Sequence, residues 1–282
     1  MRLLKKMAVV SFLIISAWKV QADNSNTRIQ LHLLDCGTIN VKDISLFSPG
    51  GDEGFSKTLA NSCYLIVHPK GNLLWDTGLS DQLVKQKNGV LVADGMFHLQ
   101  VKRTLASQLA DLGLAATDID YVAISHFHFD HTGNMAQFKN AKFLVQEPEL
   151  AAAFSDQARA MHFDPNDYKS IEKRQFVGVS GEYDVFADER LRLIPTHGHT
   201  PGHQSLLVNL SETGAVILSG DLYHFEKNMR HKRVPAINTD KAQTLVSMNN
   251  IDALLKEVEG QLWIQHDLET FKSLKKSPDY YQ

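Results

Sequence analysis

Clustered positive charge is nearly absent from this chain. Its longest basic run is Arg230-His231-Lys232-Arg233, and its formal net charge is −3. So little concentrated cation argues against nucleic acid as a partner. Long apolar runs are equally scarce. The most continuous, Met7 to Trp18, is twelve residues, where a membrane-spanning helix needs about 20. No repeat of fixed period and no low-complexity linker occurs, which argues against a solenoid or a tethered array. Cysteine appears twice, as Cys36 and Cys63, and neither lies near the N-terminus, where a lipoprotein would carry one.

What is present is a globular composition, 43% hydrophobic and 22% charged over 282 residues, enough for a substantial core. Arg2, Lys5 and Lys6 precede the short apolar run, Lys19 closes it, and Val20-Gln21-Ala22 fits a small-residue cleavage pattern. Residues 1–22 are therefore expected to be a signal peptide and residues 23–282 a single exported domain, periplasmic or secreted, with no stable membrane span once the signal is removed. In an oxidising compartment Cys36 and Cys63 are free to bridge if their strands are neighbours; two buried thiols fit equally well, and the sequence leaves both open.

Strands are expected at 28–36, at 63–68 and 73–75 as a hairpin around Pro69-Lys70-Gly71-Asn72, and at 121–124, 142–145, 183–186, 191–194, 205–208, 215–218 and 262–264. Residues 40–61 read as a long loop and 155–170 as another. Helices fit Val101 to Leu112, with Gly113 as a stop, then 147–154 and 240–258. Strands in two groups with helices between and after them suit two mixed sheets packed face to face with helices outside. Every group of ligand-type residues follows a strand: Asp76, His126 to His131, His197 to His203, Asp221 and His266. Strand exits converge on one rim, where sites are built.

The densest group is His126-Phe127-His128-Phe129-Asp130-His131. Alternation beyond the strand at 121–124 turns His126 and His128 to one side; Asp130 continues it and His131 departs from it at a turn. The segment thus offers two neighbouring metal positions, one at His126 and His128, the other at Asp130 and His131. Three imidazoles and a carboxylate this close would be costly to bury without a cation.

The run His126-x-His128-x-Asp130-His131, then Gly198-His199-Thr200-Pro201-Gly202-His203, Gly220-Asp221 and a late His266, resembles the metallo-β-lactamase superfamily. With Cys63-Tyr64-Leu65, Asp76-Thr77-Gly78, Gly181-Glu182-Tyr183 and His266-Asp267, the chain looks most like its N-acyl-homoserine lactone lactonases. The resemblance implies an α/β fold, a four-layer αβ/βα sandwich with the metal site at one rim of the two sheets. It implies one metal held by His126, His128 and His199, a second by Asp130, His131 and His266, and Asp221 bridging them. Imidazole suits zinc, and the two carboxylates leave manganese, iron or cobalt open. Asp76 is expected to orient a ligand imidazole. His203 is expected to support the site without ligating, and His197 to be a turn residue. His32, His68, His98, His162 and His231 are expected to be ordinary structural histidines.

The implied activity is a dinuclear-metal hydrolase of the quorum-quenching type, opening the lactone ring by attack of a metal-bridging hydroxide, with Asp130 moving the proton. Those lactonases place a tyrosine three residues after the bridging aspartate. This chain has His224 there and Tyr223 one earlier, so either is a candidate for the contact to the substrate carbonyl. Met96, Phe97, Phe127, Phe129, Met161 and Phe163 are candidates for an acyl groove. The partner is a small-molecule ester or lactone, and a homodimer stays open. Alternatives on the same scaffold are an organophosphate triesterase, a glyoxalase-type thioesterase or a β-lactamase. Asp221 with His131 disfavours the last, and Lys272, Lys275 and Lys276 are a faint basic patch for the thioesterase.

Overall fold

The computed structural model describes residues 28–282; the signal peptide expected at 1–22 lies outside them. A long antiparallel pair, β1 (Gln30–Val41) and β2 (Lys57–His68), begins the first sheet. The Pro69-Lys70 turn leads into β3 (Gly71–Trp75). Two short strands, β4 (Val90–Val92) and β5 (Phe97–Gln100), extend the sheet beyond β1. Across the sheet, β6 (Tyr121–Ala123), β7 (Lys142–Gln146) and β8 (Phe176–Val179) run parallel to β3. The order is β4-β5-β1-β2-β3-β6-β7-β8.

The second sheet holds β9 (Tyr183–Asp184), β10 (Leu191–Pro195), β11 (Gln204–Leu210) and β12 (Gly214–Leu218), all antiparallel, with β13 (Gln261–Trp263) parallel to β12. Period-two patterning assigns the faces. Leu31, Leu33, Tyr64, Ile66, Leu73 and Trp75 meet Leu191, Leu193, Leu206, Val208, Leu218 and Trp263 between the sheets. Their strand neighbours Leu65 and Leu74 face outward beneath α1 (Leu105–Asp111) and α3 (Glu147–Ala153). After the short α4 (Pro165–Tyr168) and α5 (Glu226–His231) comes α6 (Lys241–Glu257), which covers the outward-facing Leu207 and Ile217 and buries Met248 and Ile251. The molecule is thus an α/β sandwich of helices, two sheets and helices.

Several local expectations change. The strand expected to end at Cys36 continues to Val41 through a bulge between Asp35 and Thr38. Gly37 makes this passable: its φ is +119°, and a Cβ there would lie 2.8 Å from the Gln100 carbonyl oxygen. The expected loop 40–61 is shortened at both ends, because β1 runs to Val41 and β2 starts at Lys57. The loop expected at 155–170 contains a short helix, Pro165–Tyr168, started by Asp164, which accepts the Asn166 N–H. Cys36 and Cys63 are joined in a disulfide, with their Cα atoms 5.8 Å apart across the β1–β2 pair. The bridge lies against Gly78, where a Cβ would come within 2.3 Å of the Cys36 Cβ. Among the described residues, no helix is long and apolar enough to cross a membrane.

Candidate metal centre

Five chain segments reach one rim from strand ends. Asp76 follows β3, residues 125–131 follow β6, His199 and His203 lie between β10 and β11, Asp221 follows β12, and His266 follows β13. Two groups of ligand-type atoms meet there: His126, His128, His199 and Asp221 in one, Asp130, His131 and His266 in the other. All seven side chains are buried. Strand alternation is not what aims them. β6 ends at Ala123, so His126 and His128 stand on a loop, and Asp130 and His131 share a single helical turn, α2 (Phe129–Thr132).

Each imidazole has one nitrogen facing an outer acceptor, which leaves the other as a lone pair facing inward. His131 Nδ1 lies 2.8 Å from Asp76 Oδ2, His199 Nδ1 2.8 Å from Asn238 Oδ1, and His266 Nδ1 2.7 Å from the Ala60 carbonyl. His126 Nδ1 lies 3.0 Å from Ser125 Oγ, whose own proton goes to Asp76 Oδ2 at 2.8 Å. His128 is turned the other way round: its Nε2 is 3.2 Å from the Met161 carbonyl and its Nδ1 points inward. The inward nitrogens crowd together, with His126 Nε2 2.8 Å from His128 Nδ1, His199 Nε2 3.1 Å from His128 Nδ1, and His131 Nε2 3.3 Å from His266 Nε2. Lone pairs buried against one another repel, and a cation among them removes the penalty. This donor set fits divalent metal.

Asp221 joins the groups. Its Oδ1 is 3.2 Å from His131 Nε2 and 3.0 Å from His266 Nε2, while its Oδ2 is 3.4 Å from His199 Nε2. His203 orients it: Nε2 accepts the Asp221 N–H at 2.8 Å, and Nδ1 is held by Thr196 at 2.9 Å. Asp130 Oδ2 lies 3.5 Å from His266 Nε2. Burial lowers His126 and His128 well below the ordinary imidazole range and His199 to about 4. Burial also works against protonation of His131 and His266, but the Asp221 and Asp130 carboxylates outweigh it and raise both. Asp221 is held well below the usual carboxylate range; burial opposes this, and the surrounding imidazoles, His266 and His131 foremost, outweigh it.

Residues 57–258 match the Metallo-beta-lactamase superfamily. The chain belongs to that superfamily. It is a metal-dependent hydrolase. Among its relatives, the N-acyl homoserine lactonase AttM of Azorhizobium caulinodans is 29% identical over 262 residues, covering 90% of this chain and 99% of the relative. AiiA, an N-acyl homoserine lactonase of Bacillus thuringiensis subsp. kurstaki, is 29% identical over 224 residues, 77% of this chain and 85% of the relative. A crystal structure of a B. thuringiensis AiiA variant with N-decanoyl-L-homoserine bound at its active site superposes with a TM-score of 0.79 at 25% identity, covering 90% of this chain and 99% of that one.

Within this superfamily frame, an apolar cavity of about 640 Å³ opens onto the metal centre. Ile39, Leu59, Met96, Phe97, Phe129 and Phe163 line it, and His128, Asp130, Asp221 and His224 form its polar floor. Phe127 is not among the lining residues; its ring packs 4.7 Å from that of Tyr168 in the layer beneath α3. Met161 contributes its carbonyl to His128 rather than a wall. His162, expected to be merely structural, lines the cavity from a left-handed turn (φ +62°).

Of the two substrate-contact candidates, only one faces the cavity. His224 Nε2 is 3.1 Å from Asp221 Oδ2, and its ring packs 4.3 Å from Phe47. Tyr223 points away from the cavity: the side chain is buried beneath α6, its hydroxyl 3.4 Å from the Met248 carbonyl and from Asp252 Oδ1. The backbone extends at Tyr223 (φ −139°, ψ 139°), so consecutive side chains point to opposite sides. Burial raises the Tyr223 phenol, with Asp252 adding to the shift.

The pattern of ligand types does not single out the outer supports. Gln265 donates to Asp76 Oδ2 at 2.7 Å and accepts from Trp75 Nε1 at 2.9 Å. Asn61 donates to the Asp130 carbonyl at 2.9 Å, and Asn134 to the Thr77 and Leu79 carbonyls at 2.8 Å each. A sequence signal exists only for Ser125 and Gln265, each of which immediately precedes a candidate ligand histidine.

Proposed function

We propose that this chain is a dinuclear zinc lactonase that opens N-acyl-homoserine lactones. One observation carries the reading most. The Asp221 carboxylate stands between two imidazole groups, one oxygen toward each, at the floor of an apolar cavity. His126, His128 and His199 would hold one ion, Asp130, His131 and His266 the other, and Asp221 both. Two such ions supply Lewis-acid activation of water and of a carbonyl oxygen.

The chain's own groups supply the rest. The apolar walls exclude water and take the acyl chain. His224 Nε2 faces the floor as a hydrogen-bond donor to the carbonyl oxygen, where charge builds as the ring is attacked. Asp130 Oδ2, at the floor beside His266, takes up the proton of the attacking water and returns it to the departing ring oxygen. The similarity to AttM and AiiA supports the substrate class, and the largely apolar walls, among them Ile39, Leu59, Met96 and Phe97, support a medium or long acyl chain over a short one.

We also place the protein outside the cytoplasm. The signal-like pattern of residues 1–22 and the Cys36–Cys63 bridge support this. Assays of zinc-loaded protein with hexanoyl- and decanoyl-homoserine lactone, lactoylglutathione, a paraoxon-type triester and nitrocefin test the substrate class. Lactone opening that disappears on chelation is expected; turnover of the thioester or triester with none of the lactones would refute it. Cell fractionation tests the location, and retention of full-length protein in the cytoplasm would refute that part.

A further inference from the structure

Glu149 is a buried acid that the mechanism does not use. It lies in the first turn of α3 and is 0% exposed. One oxygen accepts the Phe127 N–H at 3.0 Å and the other the Gly202 N–H at 2.8 Å. Phe127 stands between His126 and His128, and Gly202 closes the turn that carries His199. A single carboxylate therefore joins the two chain segments that supply all three imidazoles of the first ligand group. The spacing has no slack: a Cβ on Gly202 would lie 2.2 Å from the Glu149 nitrogen and 2.6 Å from its Cβ. Burying a carboxylate against two main-chain donors is costly. Burial pushes Glu149 up to about 7, with the Thr200 hydroxyl first and then the Gly202 and Phe127 N–H groups opposing it. An apolar side chain would fill the same space without that cost but would leave both N–H groups unpaired.

We propose that Glu149 is a positioning residue that fixes the separation between the His126–His128 loop and the His199 turn, and so sets how tightly the first group of ligands holds its ion. This rests on the dinuclear reading above. The proposal differs from a general packing role in being selective. The second group is oriented by Asp76 and the Ala60 carbonyl, neither of which depends on Glu149.

The test uses the full chain loaded with zinc and follows release to a chromogenic chelator, with cobalt spectra of the same samples. Glu149→Gln keeps one acceptor oxygen but turns an NH₂ toward the other main-chain donor. It should speed release of one ion about tenfold or more, the range seen when outer supports of metal ligands are lost, and leave the other unchanged. His266→Ala, which removes an imidazole from the second group alone, should speed the opposite phase, which identifies the ions. Gly202→Ala keeps the carboxylate but forces the turn away from α3, and should act on the same ion as Glu149→Gln. Unchanged release in both variants, or equal acceleration of both ions, would overturn the proposal. Failure of both variants to fold, judged by circular dichroism of metal-free protein, would overturn it too, by making Glu149 a determinant of the fold. Wild-type protein that binds no ion would remove the dinuclear reading itself, whereas two ions in wild type with unaltered release from Glu149→Gln would remove only this inference.

Discussion

Asp76 Oδ2 lies 2.8 Å from His131 Nδ1, on the far side of the ring from the other candidate ligands. The same carboxylate accepts the Ser125 N–H at 2.7 Å through Oδ1, with the Ser125 hydroxyl at 2.8 Å and Gln265 at 2.7 Å on Oδ2. It sits at φ +56°, a backbone conformation that side chains other than glycine rarely adopt. One buried acid thus fixes the tautomer of His131 and, through Ser125, that of His126. Replacing it with asparagine presents an N–H where an acceptor is needed. Asp76→Asn is expected to weaken binding of the ion at His131 about 10–100-fold, measured by competition with a chelator of known affinity.

Tyr223 and His224 are neighbours with opposite surroundings. Removing the Tyr223 hydroxyl costs only two 3.4 Å contacts beneath α6, so Tyr223→Phe should leave kcat near wild type. His224→Ala removes the donor at the cavity floor and should lower kcat about 10²–10³-fold. Steady-state kinetics on a decanoyl lactone separates the two. Loss of activity in Tyr223→Phe with His224→Ala unaffected would reverse the assignment.

Metal uptake should depend on pH unequally at the two groups. Burial already keeps His126, His128 and His199 neutral, whereas the Asp221 and Asp130 carboxylates raise His131 and His266. A cation must displace protons at the second group, and that competition strengthens as pH falls. Lowering pH from about 8 to about 6, across the ordinary imidazole range, should weaken the ion at His131 and His266 more than the other. Calorimetry in buffers of different ionisation enthalpy reads the protons released; a pH dependence confined to the His126 group would contradict this.

The Cys36–Cys63 bridge closes a loop with a sequence separation of 27. By loop entropy it stabilises the fold by about 3.5 kcal/mol. Denaturant unfolding of Cys36→Ala/Cys63→Ala against wild type should show a loss of that order, with lactone kcat retained if the loop at 76–78 keeps its place.

Ile237 lines the cavity. Ile237→Trp should raise KM for the decanoyl lactone while sparing the hexanoyl one, since added bulk removes volume that only the longer chain needs.

Much of this was legible because the candidate ligands are ordered along the chain. His126 to His131 fall within six residues, and a cluster that dense has few other uses. His199, Asp221 and His266 are dispersed, and resemblance rather than spacing pointed to them. Three-dimensional detail was not legible. That His128 offers Nδ1 while His126 offers Nε2 depends on where the Met161 carbonyl lies, 33 residues later, and main-chain carbonyls leave no trace in a residue pattern. The choice between Tyr223 and His224 turned on the chain's direction after Asp221, which packing under α6 decides. Glu149 looked like any acid in the first turn of a helix until the fold brought Phe127 and Gly202 to its two oxygens.

In the proposed reading Asp221 spans two ions whose joint presence makes the activity. Metal analysis of the purified protein alongside decanoyl-homoserine lactone turnover, before chelation, after it and after readdition of zinc, tests this most directly. Two ions per chain are expected, with activity lost when they are removed and regained when both return. Turnover that persists in fully stripped protein, or full activity at one ion or fewer per chain, would contradict it.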